Sequence, residues 1–146
     1  MTTEQEVWLL VVTVILLLAW AGFNRRAKAQ KANQEFKQLT SVDASSITTI
    51  EHLQPLSVEA ICQYSSGLSY RLKSWICLYL SANITYFAVL YLPFGEWHLI
   101  LVVVPGMIMV ISGVAGFKDI MRQYLLDRSG RIDSGGNIRP PIRPTG

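Results

Sequence analysis

The sequence predicts an all-α integral membrane protein with three transmembrane helices, the last two a tight antiparallel hairpin. Three observations carry this. Apolar residues make up 51% of the 146-residue chain, but they are gathered into three blocks rather than spread with the period of a soluble amphipathic fold. Two of the blocks, residues 74–92 (SWICLYLSANITYFAVLYL) and 99–117 (LILVVVPGMIMVISGVAGF), contain no Asp, Glu, Lys, Arg or His. At about 1.5 Å of rise per residue, 19 helical residues cover roughly 28 Å, close to the hydrocarbon thickness of a bilayer. Only residues 93–98 (PFGEWH) lie between the two, so the second span must turn straight back into the third.

Residues 1–6 form a short polar start that carries Glu4 and Glu6. The first span is residues 7–23 (VWLLVVTVILLLAWAGF). A cleaved leader would have a basic start, whereas this one is acidic. Trp8 and Trp20 stand near the two ends of the run, where indole rings favour the interface, so we read a retained span.

Residues 24–73 form the polar segment between the first two spans. Its opening holds Arg25, Arg26, Lys28, Lys31 and Lys37, and residues 26–39 are rich in helix formers without Gly or Pro. This stretch should continue the first helix as a solvated stem whose basic side chains snorkel to the headgroups. A Ser/Thr-rich break follows at residues 40–49. Thr48 and Glu51 have capping-box spacing for a short helix from Ile50, which Pro55 would end. Ser57 is placed as N-cap of a helix over 58–64, with Glu59 favourable in its first turn, and Ser65-Ser66-Gly67 should interrupt again. The segment therefore reads as two or three short helices along one membrane surface. The polar material is divided between this loop and the C-terminal tail, which predicts no soluble domain with its own core.

In the second span Cys77, Ser81 and Thr85 recur every four residues on one helical face, and Asn83 lies near mid-depth. An amide facing lipid is costly, so Asn83 should point at another helix. In the third span Pro105 removes a backbone hydrogen bond to the Leu101 carbonyl, and Ser112 and Gly116 make a small-xxx-small pair beside Gly113. Asn83, Ser81, Thr85, Pro105, Ser112, Gly113 and Gly116 are thus the helix-packing candidates. Residues 118–129 should extend the third helix out of the bilayer until Gly130 stops it. Residues 130–146, rich in Gly, Pro and Arg, read as a disordered tail.

All 13 Lys and Arg fall within residues 24–73 and 118–146, and none in the N-terminus or the hairpin turn. Three spans put those two segments on one side, and the positive-inside rule makes that side the cytoplasm. The expected location is an inner membrane of bacterial type, with the N-terminus outside and the C-terminus inside. Arg25, Arg26, Lys28, Lys31, Arg71, Lys73, Lys118 and Arg122 border the spans and are the candidates for contact with anionic lipid headgroups. This use of the basic residues leaves no need for nucleic acid as a partner.

No constellation of catalytic groups has convincing spacing, and there is no P-loop or dinucleotide fingerprint. Glu96 and His98 read as polar caps of the hairpin rather than metal ligands. Cys62 and Cys77 read as unpaired, partly buried thiols. No cofactor, metal or catalytic activity is expected. Packing features outnumber chemical ones, which points to a structural subunit or assembly factor of a larger membrane complex, such as a bacterial secretion or conjugation apparatus. A self-assembling pore of the holin type and an immunity or exclusion protein acting through its outward turn are the alternatives. Other membrane proteins or a second copy are the expected partners.

Overall fold

The structure is a computed structural model that describes residues 2–91, 95–133 and 136–140. In chain order it has α1 (Thr3–Thr40), a 3₁₀ turn at Ala44–Ser46, α2 (Ile50–Leu53), α3 (Val58–Tyr91), a 3₁₀ turn at Gly95–Trp97 and α4 (His98–Arg128). Among the described residues the only β pairing is an isolated antiparallel bridge between Ile132 and Ile138. The described residues hold 3 helices long and apolar enough to cross a membrane. They divide into two compact units, one of Met1–Arg25 and Lys73–Gly116, the other of Arg26–Leu72 and Phe117–Gly146.

The first unit contains the apolar runs. Close approach occurs where side chains are absent or small. A Cβ added at Gly22 would lie 3.4 Å from the Cys77 Cβ and 3.6 Å from the Ser74 carbonyl oxygen. One added at Gly116 would lie 3.7 Å from the Trp75 Cβ, and one at Gly113 3.9 Å from Tyr79 Cε2. At Gly106 the neighbour is Tyr86 Cε2, 4.0 Å away. Contacts therefore move up α3 as they move down α4. The rest of the surface is apolar and open: Leu10, Leu16, Trp20 and Val110 are among the large side chains left exposed. Of the apolar window of α1 only 6% is buried. Such surfaces are compatible with lipid, where a helix meets most of its backbone hydrogen-bonding needs internally. Pro105 is buried and α4 runs through it unbroken. Of the hairpin turn, Pro93 and Phe94 lie outside the described residues, whereas His98 already opens α4.

The second unit corrects the expectation that nothing outside the spans builds a core. Phe36, Ile47, Leu53, Ala60, Ile61, Tyr64, Leu68 and Leu126 form one buried cluster, with Ile132 and Ile138 packed against it. The Phe36 and Tyr64 rings meet at 5.6 Å between centroids. These residues come from four separate stretches, so the core is invisible to any local period. The stem predicted over 26–39 is the second half of α1, which ends where Ser41 takes a left-handed φ of 59°. Its N–H then returns to the Lys37 carbonyl at 2.7 Å.

Three further local expectations change. Ser65-Ser66-Gly67 does not interrupt anything, and α3 runs from Val58 to Tyr91 without a break. The small residues serve approach instead: a Cβ on Gly67 would meet Asn33 Oδ1 at 2.6 Å and the Ala32 Cβ at 3.6 Å. The short helix at Ile50 exists, but Thr48 does not cap it as expected. Thr49 precedes the helix without a side-chain cap bond, and the Thr48 N–H donates to His52 Nδ1 at 3.3 Å. Ser57 does cap α3, its Oγ accepting from the Ala60 N–H at 3.2 Å. Finally, the tail is not wholly disordered. Residues 131–133 and 136–140 are folded back, with the Arg139 N–H donating to the Arg131 carbonyl and the Asp133 N–H to that of Asn137, at 2.6 and 2.9 Å. Residues 134–135 and 141–146 lie outside the described residues, and with them most of the Pro-rich end.

Candidate functional site

The packing candidates of the two apolar blocks separate into groups. Ser81, Thr85 and Pro105 line one cavity of about 330 Å³ together with apolar side chains such as Leu78, Val104 and Ile108. Ser81 and Pro105 are buried, Thr85 half-buried. Their hydroxyl chemistry stays inside the helix, since Thr85 Oγ1 donates to the Ser81 carbonyl at 2.8 Å. Ser112 does the same, donating to Ile108 at 2.7 Å and Met109 at 3.2 Å. Bonding back to the previous turn is how the Thr85 and Ser112 hydroxyls satisfy themselves in apolar surroundings. Asn83 is half-buried. The small-residue face of α4 is split, with Ser112 and Gly116 buried and Gly113 exposed.

The basic candidates also separate. Asp119, which sequence reasoning passed over, is fully buried on α4 and draws in two of them. Arg71 Nε lies 3.2 Å from its Oδ2, and Arg122 Nη1 lies 3.9 Å from its Oδ1. Arg71 and Arg122 are therefore corrected from headgroup ligands to partners of a buried carboxylate. Tyr64 is buried beside this group. Burial pushes its phenol up from the ordinary value, against the pull of Arg122, while Asp119 adds to the rise and Arg71 opposes it. Arg25 is half-buried, and Arg26, Lys73 and Lys118 are exposed. Lys28 and Lys31 are exposed along a groove of about 280 Å³ between α1 and α3, shared with Ser66 and Tyr70. The Lys28 ammonium stands 5.6 Å from the centroid of the Tyr70 ring, a cation–π distance.

Arg131 is the largest fully buried side chain of the described residues. Gly130, at φ 75°, ends α4 in the left-handed region and turns the chain so that the next side chain points inward. The guanidinium then donates to the carbonyls of Leu53, Gln54 and Leu56, the first two at 2.8 and 2.9 Å, and its Nε to that of Arg139 at 3.2 Å. Helices leave their last carbonyls without partners, and at the end of α2 one planar fork of N–H donors satisfies several of them. Burial lowers the affinity of this guanidinium for its proton. Cys62, expected to be partly buried, is exposed, and both cysteines are free.

Among the described residues no group of three or more His, Cys, Asp or Glu could hold a metal ion. No known family matches the chain, and neither do any curated proteins or solved structures. The arrangement must therefore be read from its own chemistry: an apolar unit with open faces, and a basic unit with an apolar core into which Asp119 and Arg131 are also buried.

Proposed function

We propose that the chain is a non-enzymatic polytopic membrane protein that acts as a structural subunit or assembly factor of a larger complex, of the kind found in bacterial secretion or conjugation machinery. In this reading α3 and α4 cross an inner membrane as a tight antiparallel hairpin. The N-terminus and residues 93–98 face outward, and the basic segments face the cytoplasm. The distribution of Lys and Arg supports the orientation.

The observation that carries the proposal is the openness of α1. With 6% of its apolar window buried, this span leaves most of its surface uncovered by its own chain, although Gly22 packs against Cys77 and Ser74. Helix association in lipid rests on close packing rather than on the hydrophobic effect, so a span left this open is available to another protein. Purification of the tagged protein in mild detergent tests the reading. A constant set of other membrane proteins in fixed ratio is the expected result. Leu10→Ala with Leu17→Ala, on the open surface of α1, should then release partners while leaving helicity and expression intact, because both side chains are exposed, outside the chain's own packing. A homo-oligomer alone would replace the proposal with a pore. A lone monomer would replace it with an immunity or exclusion protein acting through residues 93–98.

A further inference from the structure

The groove between the second half of α1 and the first half of α3 has a defined register. Lys28 pairs with Tyr70, Ala32 with Gly67 and Phe36 with Tyr64. Ala32 is buried and Gly67 has no side chain, so the two helices meet closely there and the longer residues on either side stand up around the contact. Lys28, Lys31, Ser66 and Tyr70 supply ammonium and hydroxyl donors along the groove, while Glu35 and Gln63 mark the end away from Tyr70. This places cationic donors at one end and a carboxylate at the other.

Depth along α1 distinguishes the two ends. Lys28 follows the end of the apolar run, Phe23, by five residues, a rise of about 7.5 Å. Glu35 follows it by twelve, about 18 Å. Headgroups occupy roughly the first 5–8 Å beyond the hydrocarbon on each side. The Lys28–Tyr70 end therefore stands at phosphate level, Lys31 within side-chain reach of it, and Glu35 out in water.

We infer that this groove binds the phosphate of an anionic phospholipid headgroup, with Lys28 and Lys31 as its charged donors and Ser66 and Tyr70 as its hydroxyl donors. Here two candidate headgroup cations line a cavity, whereas Arg71 and Arg122 meet a buried carboxylate. The ring of Tyr70 holds the Lys28 ammonium at the mouth before any lipid arrives. The inference rests on the reading that the first unit spans a membrane, and alkaline carbonate extraction separates the two. Release of the full-length protein by carbonate would refute the span, and the lipid site with it.

The test uses full-length protein reconstituted into phosphatidylcholine vesicles with and without phosphatidylglycerol, with retained lipid counted by native mass spectrometry after gentle extraction. Phosphatidylglycerol should be retained in preference to phosphatidylcholine. A basic residue near an anionic surface contributes such that Lys28→Gln or Lys31→Gln should weaken retention about fivefold, and the pair together roughly 30-fold. Lys28→Arg with Lys31→Arg should restore it, and Lys37→Gln, outside the groove and beside Asp43, should leave it unchanged. Circular dichroism of each variant checks that the helices persist. Carbonate-resistant protein whose double Gln variant keeps its phosphatidylglycerol would overturn the site. So would an equal loss in Lys37→Gln, which would reduce the effect to general attraction. Inorganic phosphate binding the lipid-free protein as tightly as phosphatidylglycerol would reassign the groove to a soluble anion.

Discussion

Arg131→Ala removes a buried guanidinium that donates to four carbonyls, those of Leu53, Gln54, Leu56 and Arg139. Each charge-assisted hydrogen bond contributes about 1.5–3 kcal/mol, but these share one donor group and do not add. Desolvating the cation offsets part of the gain. Leaving one buried acceptor unsatisfied costs about 1–3 kcal/mol. Several carbonyls lose their donor at once, but water can enter the space vacated by a side chain this long, so about 3 kcal/mol is the expected loss. A small domain is stable by only about 5–15 kcal/mol, so the loss is large. It should fall first on the folded-back tail. Hydrogen exchange at the Asp133 and Arg139 amides, which donate to the Asn137 and Arg131 carbonyls, reports it directly. A loss of about 3 kcal/mol predicts exchange roughly 100-fold faster at both. Arg131→Lys should recover only part, because a point ammonium cannot reproduce a planar fork across diverging acceptors. Exchange unchanged within about threefold in Arg131→Ala would refute the reasoning, since it would mean that the clamp contributes less than about 1 kcal/mol.

Two other perturbations probe the same unit. Tyr64 has its pKa raised by burial, so its contribution is whole below the ordinary value near 10 and is lost as pH rises through the higher folded value. Melting curves of wild type and Tyr64→Phe should diverge only above about pH 10, where wild type alone loses the phenol's share; parallel curves would show that the phenol is not held in its buried place. Asp119→Asn leaves Arg71 and Arg122 facing an amide and should destabilise the fold by about 1–3 kcal/mol, less than a fully buried pair because Arg71 is partly solvated. A double-mutant cycle with Arg71→Gln measures the coupling, and a value below about 0.3 kcal/mol would show the pair to be incidental.

The three long helices were readable because membrane spans are a local property: composition over some twenty residues decides them. The N-cap at Ser57 and the stop at Gly130 are local too, and both hold in the structure. Ser65-Ser66-Gly67 was misread for the same reason. Taken alone the triplet weakens a helix, but Gly67 stands against Ala32 and Asn33, and packing by a partner outweighs a propensity of about 1 kcal/mol. Nothing within the triplet encodes that partner.

The buried charges were hidden by an explanation that was sufficient without them. The positive-inside rule gives a reason for the gathering of every Lys and Arg into two segments, and having done so it leaves no residue asking for a partner. Yet the rule speaks only of segments. Arg131 and Arg139 belong to the same Gly- and Pro-rich tail and look equivalent, but one is fully buried and the other exposed. The available signal lay in the apolar residues around them. Ile132 and Ile138 flank a Ser-Gly-Gly turn sequence, a short-range hairpin pattern, and a disordered tail has no use for two such side chains placed symmetrically about a turn. Had that pair been taken as a turn folded onto a core, the arginine just before it would have faced inward. It would then have needed acceptors, and a helix ended by Pro55 supplies free carbonyls within reach. Asp119 left the same kind of trace: a carboxylate two residues past an apolar run, where only basic residues are expected, has a reason to be there only if something cationic meets it.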